Sequence, residues 1–121
     1  TKVVTSDLHA QNIAGVLLGK GDLTNEWLVV GSHYDHVGFG YTGTSSRGEL
    51  HAGADDNASG IASITEVIRV MVETGYKPQR TIKFMAYAAE EVGLLGSSDI
   101  AKRFAKESKN VVGVVGDGVV L

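Results

Sequence analysis

With 121 residues, a formal net charge of −3 and 43% hydrophobic residues, the chain has the make-up of one globular domain with a modest core. Its 11 basic residues are scattered and outnumbered by 14 acidic ones, which excludes a nucleic-acid surface, and no apolar run approaches the ~18 residues of a membrane span. Cysteine is absent, so disulfides and thiolate chemistry are excluded and any metal must be held by His and carboxylates.

Residues 13–18 form a short apolar run closed by the turn-rich GKGDLTNE, and residues 27–31 form a second. The two are expected to make an antiparallel hairpin with a long loop. Residues 34–54 are rich in Gly, Ser and Thr without periodicity, and read as one exposed loop of a length that signals function. Ile61, Ile64, Ile68, Met71 and Val72 then recur at helical spacing, with Ser59 as N-cap and Gly75 as a stop before Pro78. TIKFMAYAA (81–89) reads as a buried strand. Residues 98–106 read as a second helix with Ile100 and Phe104 turned inward, and VVGVV (111–115) as a further strand. This alternation implies an α/β fold: a mixed, mostly parallel sheet with helices on both faces and the hairpin as an antiparallel edge.

His33 follows the run WLVVG, Glu90 and Glu91 follow TIKFMAYAA, and Asp117 follows VVGVV. Each therefore lies just beyond the carboxyl end of a predicted strand, where open α/β sheets bind ligands. Asp55 and Asp56 sit in the loop that enters the first helix, at the same edge. Glu90 and Glu91 can share a site only if the strand ends at Ala89, because neighbours on a continuing strand point to opposite faces. Taken singly, the aspartate pair is a helix-capping turn, the glutamate pair a solvated helix start and His33 an ordinary strand-end histidine. Gathered in one crevice, the carboxylates repel one another and call for a divalent cation. The i, i+2 spacing puts Asp35 on the same side as His33, placed to accept the other imidazole N–H and fix its tautomer. One imidazole with several carboxylates is a zinc-compatible ligand set, with Mn and Co also compatible.

VVGSHYDHVG, GADDNASGIASITEVIRV and IKFMAYAAEEVGLLGS resemble, in this order, the three signature segments of the two-zinc aminopeptidases of the bacterial leucine aminopeptidase type. The resemblance runs from about residue 12 to residue 115. It implies that His33 ligates one zinc, that Glu91 ligates the other, that Asp56 bridges both and that Glu90 is the general base, with Asp55 a supporting neighbour. The peptide bond between Asp56 and Asn57 is implied to be cis. Asp117 stands for a further ligand of the His33 zinc, although only Gly116 separates it from VVGVV where the family has two residues. The family continues past residue 121 and supplies a final His ligand there. The zinc site of His33, Asp56 and Asp117 is thus expected to be complete, and that of Asp56 and Glu91 incomplete.

His36 and His51 read as loop residues, either of them a substitute for that final ligand, and His9 carries no signal. The implied activity is release of N-terminal amino acids from peptides, in a secreted or periplasmic setting. TKVVTSDLHA has no signal-peptide pattern, so an exported protein would appear here in processed form. Two other readings are a glutaminyl cyclase-like aminoacyl transfer with one zinc, and a truncated module that binds metal without turnover. The valines of 111–115, with Val119, Val120 and Leu121, make an uncharged, β-prone edge expected to pair with a second copy.

Overall fold

The computed structural model describes residues 7–40 and 48–119. Its elements run β1 (Ile13–Leu17), β2 (Glu26–His33), a π-type turn (Ala54–Ala58), α1 (Ser59–Glu73), β3 (Thr81–Tyr87), α2 (Leu95–Lys106) and β4 (Asn110–Gly116). The four strands form one sheet in the order β1-β3-β2-β4.

The two apolar runs near the N-terminus do not form the expected hairpin. β3 lies between them, antiparallel to β1 with Ile13 opposite Ala86, and parallel to β2 with Trp27 opposite Thr81 and His33 opposite Tyr87. Burial decides this. Thr81, Ile82, Phe84, Met85 and Tyr87 are buried, so β3 must have neighbours on both sides and layers on both faces, whereas β1 is largely exposed and suits an edge. The loop from β1 to β2 passes the start of β3, where the Gly19 N–H donates to Thr81 Oγ1 at 3.1 Å and the Lys20 N–H to the Pro78 carbonyl at 2.9 Å. β1 remains the antiparallel edge that the sequence called for, and the sheet is otherwise parallel.

Alternation along the strands divides the core between two layers. Val29, Met85 and Tyr87 face α2, where Ile100 and Phe104 pack against them. Phe104 meets Trp27 edge-to-face at 5.4 Å, and the Lys83 ammonium lies 4.2 Å from the centre of the same indole. On the opposite face Phe84 borders a cleft with Ile61, Ile64 and Ile68 of α1. Val72, expected on that apolar stripe, is instead exposed on the helix's outer side. A cavity of about 310 Å³ remains between α2 and the sheet, lined by Val29, Tyr87, Ile100, Phe104 and Val114, and among the described residues no acidic or imidazole group lines it.

Helix starts also depart from expectation. Ser59 is already helical, and its hydroxyl donates to the Asp55 carbonyl at 2.9 Å. The capping acceptor is Asn57 Oδ1, which receives the Gly60 N–H at 3.1 Å. α2 begins at Leu95, earlier than residue 98, directly after Leu94 in the left-handed region (φ 58°). Among the described residues, no helix is long and apolar enough to cross a membrane. Residues 41–47 of the expected 34–54 loop, and Val120 and Leu121 of the expected edge, lie outside the described residues.

Candidate metal centre

β2, β3 and β4 all end at the same side of the sheet, and α1 begins there. At the last residue of β2, His33 is buried with 1% of its side chain exposed. Its Nδ1 is 3.0 Å from the Asp35 backbone carbonyl, a contact that fixes Nδ1 as the protonated nitrogen and leaves Nε2 to face the crevice. The Asp35 carboxylate was expected to take that role, but it lies 3.8 Å from the ring. It accepts instead from the backbone N–H of Glu90 at 3.0 Å and of Glu91 at 3.2 Å. Asp35 therefore ties the loop after β2 to the loop after β3, with its carbonyl orienting the imidazole and its carboxylate holding both glutamates.

β3 ends at Tyr87, and Ala89 adopts φ 56°, which turns the chain out of the strand before the glutamates. The requirement for Glu90 and Glu91 to share one site is met in this way. Asn12 secures the turn, because its Oδ1 accepts the Ala88 N–H and its Nδ2 donates to the Gly96 carbonyl, both at 3.0 Å.

Asp55, Asp56 and Asn57 lie in the π-type turn, and the bond between Asp56 and Asn57 is cis. Asp56 Oδ1 is 2.8 Å from His33 Nε2. Asp55 is exposed, and its carboxylate belongs to none of the metal-capable groups. At the third strand, Val112 is an extra residue: Trp27 is opposite Val111 while Leu28 is opposite Gly113. This bulge shifts the alternation of β4 by one. Gly116 then passes so close to the Gly31 carbonyl that a side chain would collide with it, and Asp117 arrives beside Asn57, whose Nδ2 donates to Asp117 Oδ2 at 3.2 Å.

Three groups of donors result, with the donor atoms of each within 4.8 Å of one another: His33, Asp56 and Asp117; His33, Glu90 and Glu91; and His36, Asp56 and Glu91. Every site residue expected from the sequence except Asp35 and Asp55 belongs to at least one. Asp56, His33 and Glu91 are each shared by two groups. Asn57 and Gly118 were not anticipated. The Asn57 signal was present in its position three residues before Gly60, the spacing of a side-chain cap. Gly118 has φ 69°, and a Cβ there would stand 2.8 Å from Glu90 Cγ and 3.2 Å from His33 Cδ2, so glycine lets the tail close over both. Nothing local in the sequence marks that approach.

The electrostatics suit a cation. Burial pushes the His33 imidazole pKa down, but the Asp35 carbonyl and the Asp56 and Glu90 carboxylates outweigh burial and hold it above its usual value. Burial raises the Glu90 carboxyl; His33 pulls it down, while Glu91, Asp56 and Asp35 push it up, and the net shift is upward. Glu91 Oε1 and His36 Nδ1 are buried atoms 2.6 Å apart that are not aligned for a hydrogen bond, so each lacks a hydrogen-bond partner. Buried lone pairs in that state are what a metal ion satisfies.

The chain is similar to proteins that are named as aminopeptidases. It is 34% identical over 118 residues to a probable leucine aminopeptidase of Arthroderma benhamiae, covering 94% of this chain and 31% of that protein. A probable aminopeptidase of Saccharomyces cerevisiae is 36% identical over 88 residues, covering 69% of this chain and 22% of its own length. Among solved structures, LapB from Legionella pneumophila superposes with a TM-score of 0.68 at 31% identity, over 87% of this chain and 25% of that one. The chain thus spans less than a third of the length of these relatives. With the family match running from Asn12, which pins the exit from β3, to Asp117, which closes the acidic crevice, the chain belongs to peptidase family M28.

Proposed function

We propose that the chain carries the metal centre of a zinc aminopeptidase that releases N-terminal amino acids from peptides. One observation supports this most strongly: imidazole and carboxylate donors converge from three strand ends and a helix start, with Asp56 common to two groups, in a chain whose relatives are named aminopeptidases. The donor set fits zinc, with His33, Asp56 and Asp117 for one ion and Asp56 and Glu91 for a second. Bound zinc supplies a Lewis acid that polarises the scissile carbonyl and lowers the pKa of water to about 7.

The chain's own groups handle the protons. Glu90 sits beside His33, with Oε2 3.8 Å from Nε2, and burial together with the neighbouring carboxylates raises its pKa, the direction that favours holding an accepted proton. It takes the proton of the attacking water and delivers it to the departing amine. His33 and Asp117 position the ion, while Asp35 holds the backbone from which Glu90 projects. The partner is accordingly a peptide, without nucleic acid or membrane. The reading also carries a secreted or periplasmic setting, residues 1–121 as part of one zinc-peptidase-like catalytic domain, and pairing of the exposed β4 edge with a second copy.

The test is release of leucine from a chromogenic leucine amide by the zinc-loaded chain. Glu90→Gln is expected to lower turnover by about 10²–10⁴-fold while leaving bound zinc unchanged, and His33→Ala to lose zinc as well. Equal zinc loss in both variants would show that Glu90 is a ligand. Zinc binding without any turnover would leave a metal-binding module, and cyclisation of an N-terminal glutamine would point to aminoacyl transfer.

A further inference from the structure

Glu90 and Glu91 stand on the loop of residues 88–96 that joins β3 to α2, outside the ladder that fixes His33 opposite Tyr87. Connecting segments are more mobile than the elements they join, so carboxylates that must meet an ion need such a loop to be held. Two of its residues, Ala89 (φ 56°) and Leu94 (φ 58°), adopt the left-handed conformation that residues other than glycine rarely take, and that conformation persists only where the surroundings enforce it.

The enforcement comes from both ends of the loop. The Gly96 N–H donates to the Ala88 carbonyl at 3.1 Å and the Leu95 N–H to the Ala89 carbonyl at 3.0 Å, closing the loop on itself. The Asn12 side chain takes the two groups that remain at its base: it accepts from the Ala88 N–H and donates to the Gly96 carbonyl, both at 3.0 Å. Asn12 directly precedes β1, whose first residue, Ile13, is opposite Ala86, so its amide continues the β1–β3 ladder past that pair. A primary amide suits the place because it carries an acceptor and a donor side by side, as a peptide group does. The fit is close: a Cβ on Gly96 would stand 2.3 Å from the Ala88 carbonyl oxygen and 2.4 Å from Asn12 Oδ1. Asp35 takes the Glu90 and Glu91 N–H groups, so the loop is held at its base by Asn12 and at its middle by the chain after β2.

We propose that Asn12 is a positioning residue of the metal centre: by clamping Ala88 to Gly96 it sets where Glu90 and Glu91 stand, and it acts on the ion through Glu91 and on the proton through Glu90. The assignment rests on the metal-centre reading above and deepens it, because it makes the start of the edge strand part of what the site depends on.

Zinc affinity, measured by competition with a chromogenic chelator in two backgrounds, and amide hydrogen exchange of the zinc-free chain test this. Asn12→Ala is expected to weaken zinc binding about 10–100-fold in the otherwise unaltered chain. In a Glu91→Ala background the same substitution is expected to change it by less than about twofold, since a residue acting through Glu91 has nothing left to act on. The Glu90 and Glu91 amides are expected to exchange about tenfold faster in Asn12→Ala, while those inside the β2–β3 ladder, such as Val29 and Phe84, stay protected. Asn12→Asp keeps an acceptor for the Ala88 N–H but sets an oxygen against the Gly96 carbonyl; it is expected to show the same pattern with a smaller loss, and carries the test if Asn12→Ala does not fold. Equal loss of zinc affinity in both backgrounds, no loss in the first, unchanged exchange at Glu90 and Glu91, or failure of both variants to fold would each overturn the assignment while the metal-centre reading stands. If the unaltered chain binds no zinc, or if Glu91→Ala binds it as tightly as the unaltered chain, that reading fails and this assignment with it.

Discussion

As a proposed metal ligand, His33 would couple metal binding to pH through a single buried side chain. Its folded pKa lies above the ordinary 6.5, because the Asp35 carbonyl and the carboxylates of Asp56 and Glu90 outweigh burial. In the metal-free chain the protonated ring therefore stabilises the fold. That contribution is fully present below about 6.5 and is lost as pH rises through the raised folded value. Zinc requires the neutral ring and must displace the proton. Below the raised value, zinc affinity is expected to fall about tenfold per pH unit for this one proton, and to level off above it. Calorimetric titrations across this range, in buffers of differing ionisation enthalpy, would record the released proton. A flat affinity between pH of about 5.5 and 8 would show that His33 is not the titrating ligand.

The turn before α1 carries two functions on Asn57, whose Oδ1 caps the helix at Gly60 and whose Nδ2 holds Asp117. Asn57→Ala removes both and is expected to cost about 0.5–2 kcal/mol of stability from the lost cap. Misplacing Asp117 is expected to lower zinc affinity by about 10–100-fold, as is usual when a ligand loses its outer support. Asn57→Asp separates the roles. It keeps an acceptor for the Gly60 N–H but sets a carboxylate against Asp117, so denaturation should be near that of the unaltered chain while zinc binding weakens. Parallel loss of both properties in Asn57→Asp would mean that the amide acts only through the helix.

Across the sheet, the two edges differ. β1 is antiparallel and short, whereas β4 is parallel to β2 and presents Val112 and Val115 to solvent, the latter 66% exposed. Val114, on the other hand, turns toward α2 and the core. The proposed self-pairing is therefore best tested at Val115: Val115→Lys is expected to shift sedimentation of the chain from dimer toward monomer, because a charge on an open edge opposes pairing. A lysine at Val114 would injure the packing instead and would not separate the two effects. A monomer at every concentration, with or without the substitution, would overturn pairing.

The elements themselves were legible because each carries its own periodicity: a stripe of isoleucines for α1, continuous apolar runs for β2, β3 and β4, and chemistry at the strand ends. His33, Glu90, Glu91 and Asp117 could be singled out on that ground, since the carboxyl ends of parallel strands meet on one side whatever their lateral order, whereas the choice of Asp56 over Asp55 came from the family resemblance. Strand order was not legible. Periodicity states that a strand is buried, not which strand is beside it, so the hairpin expected from proximity in the chain gave way to a sheet in which the most buried strand, β3, took an interior place. The same holds within the site. Sequence spacing placed Asp35 beside His33, yet its carboxylate is taken by backbone N–H groups that come from more than 50 residues away, with |i−j| of 55 and 56. His36 and Gly53 are separated by a loop, and their fit depends on a left-handed glycine meeting an imidazole edge. Alternation and residue chemistry are local properties and can be read along the chain. Lateral pairing, a bulge at Val112 and the facing of two buried lone pairs arise only when distant backbones close on one another, and folding alone sets them.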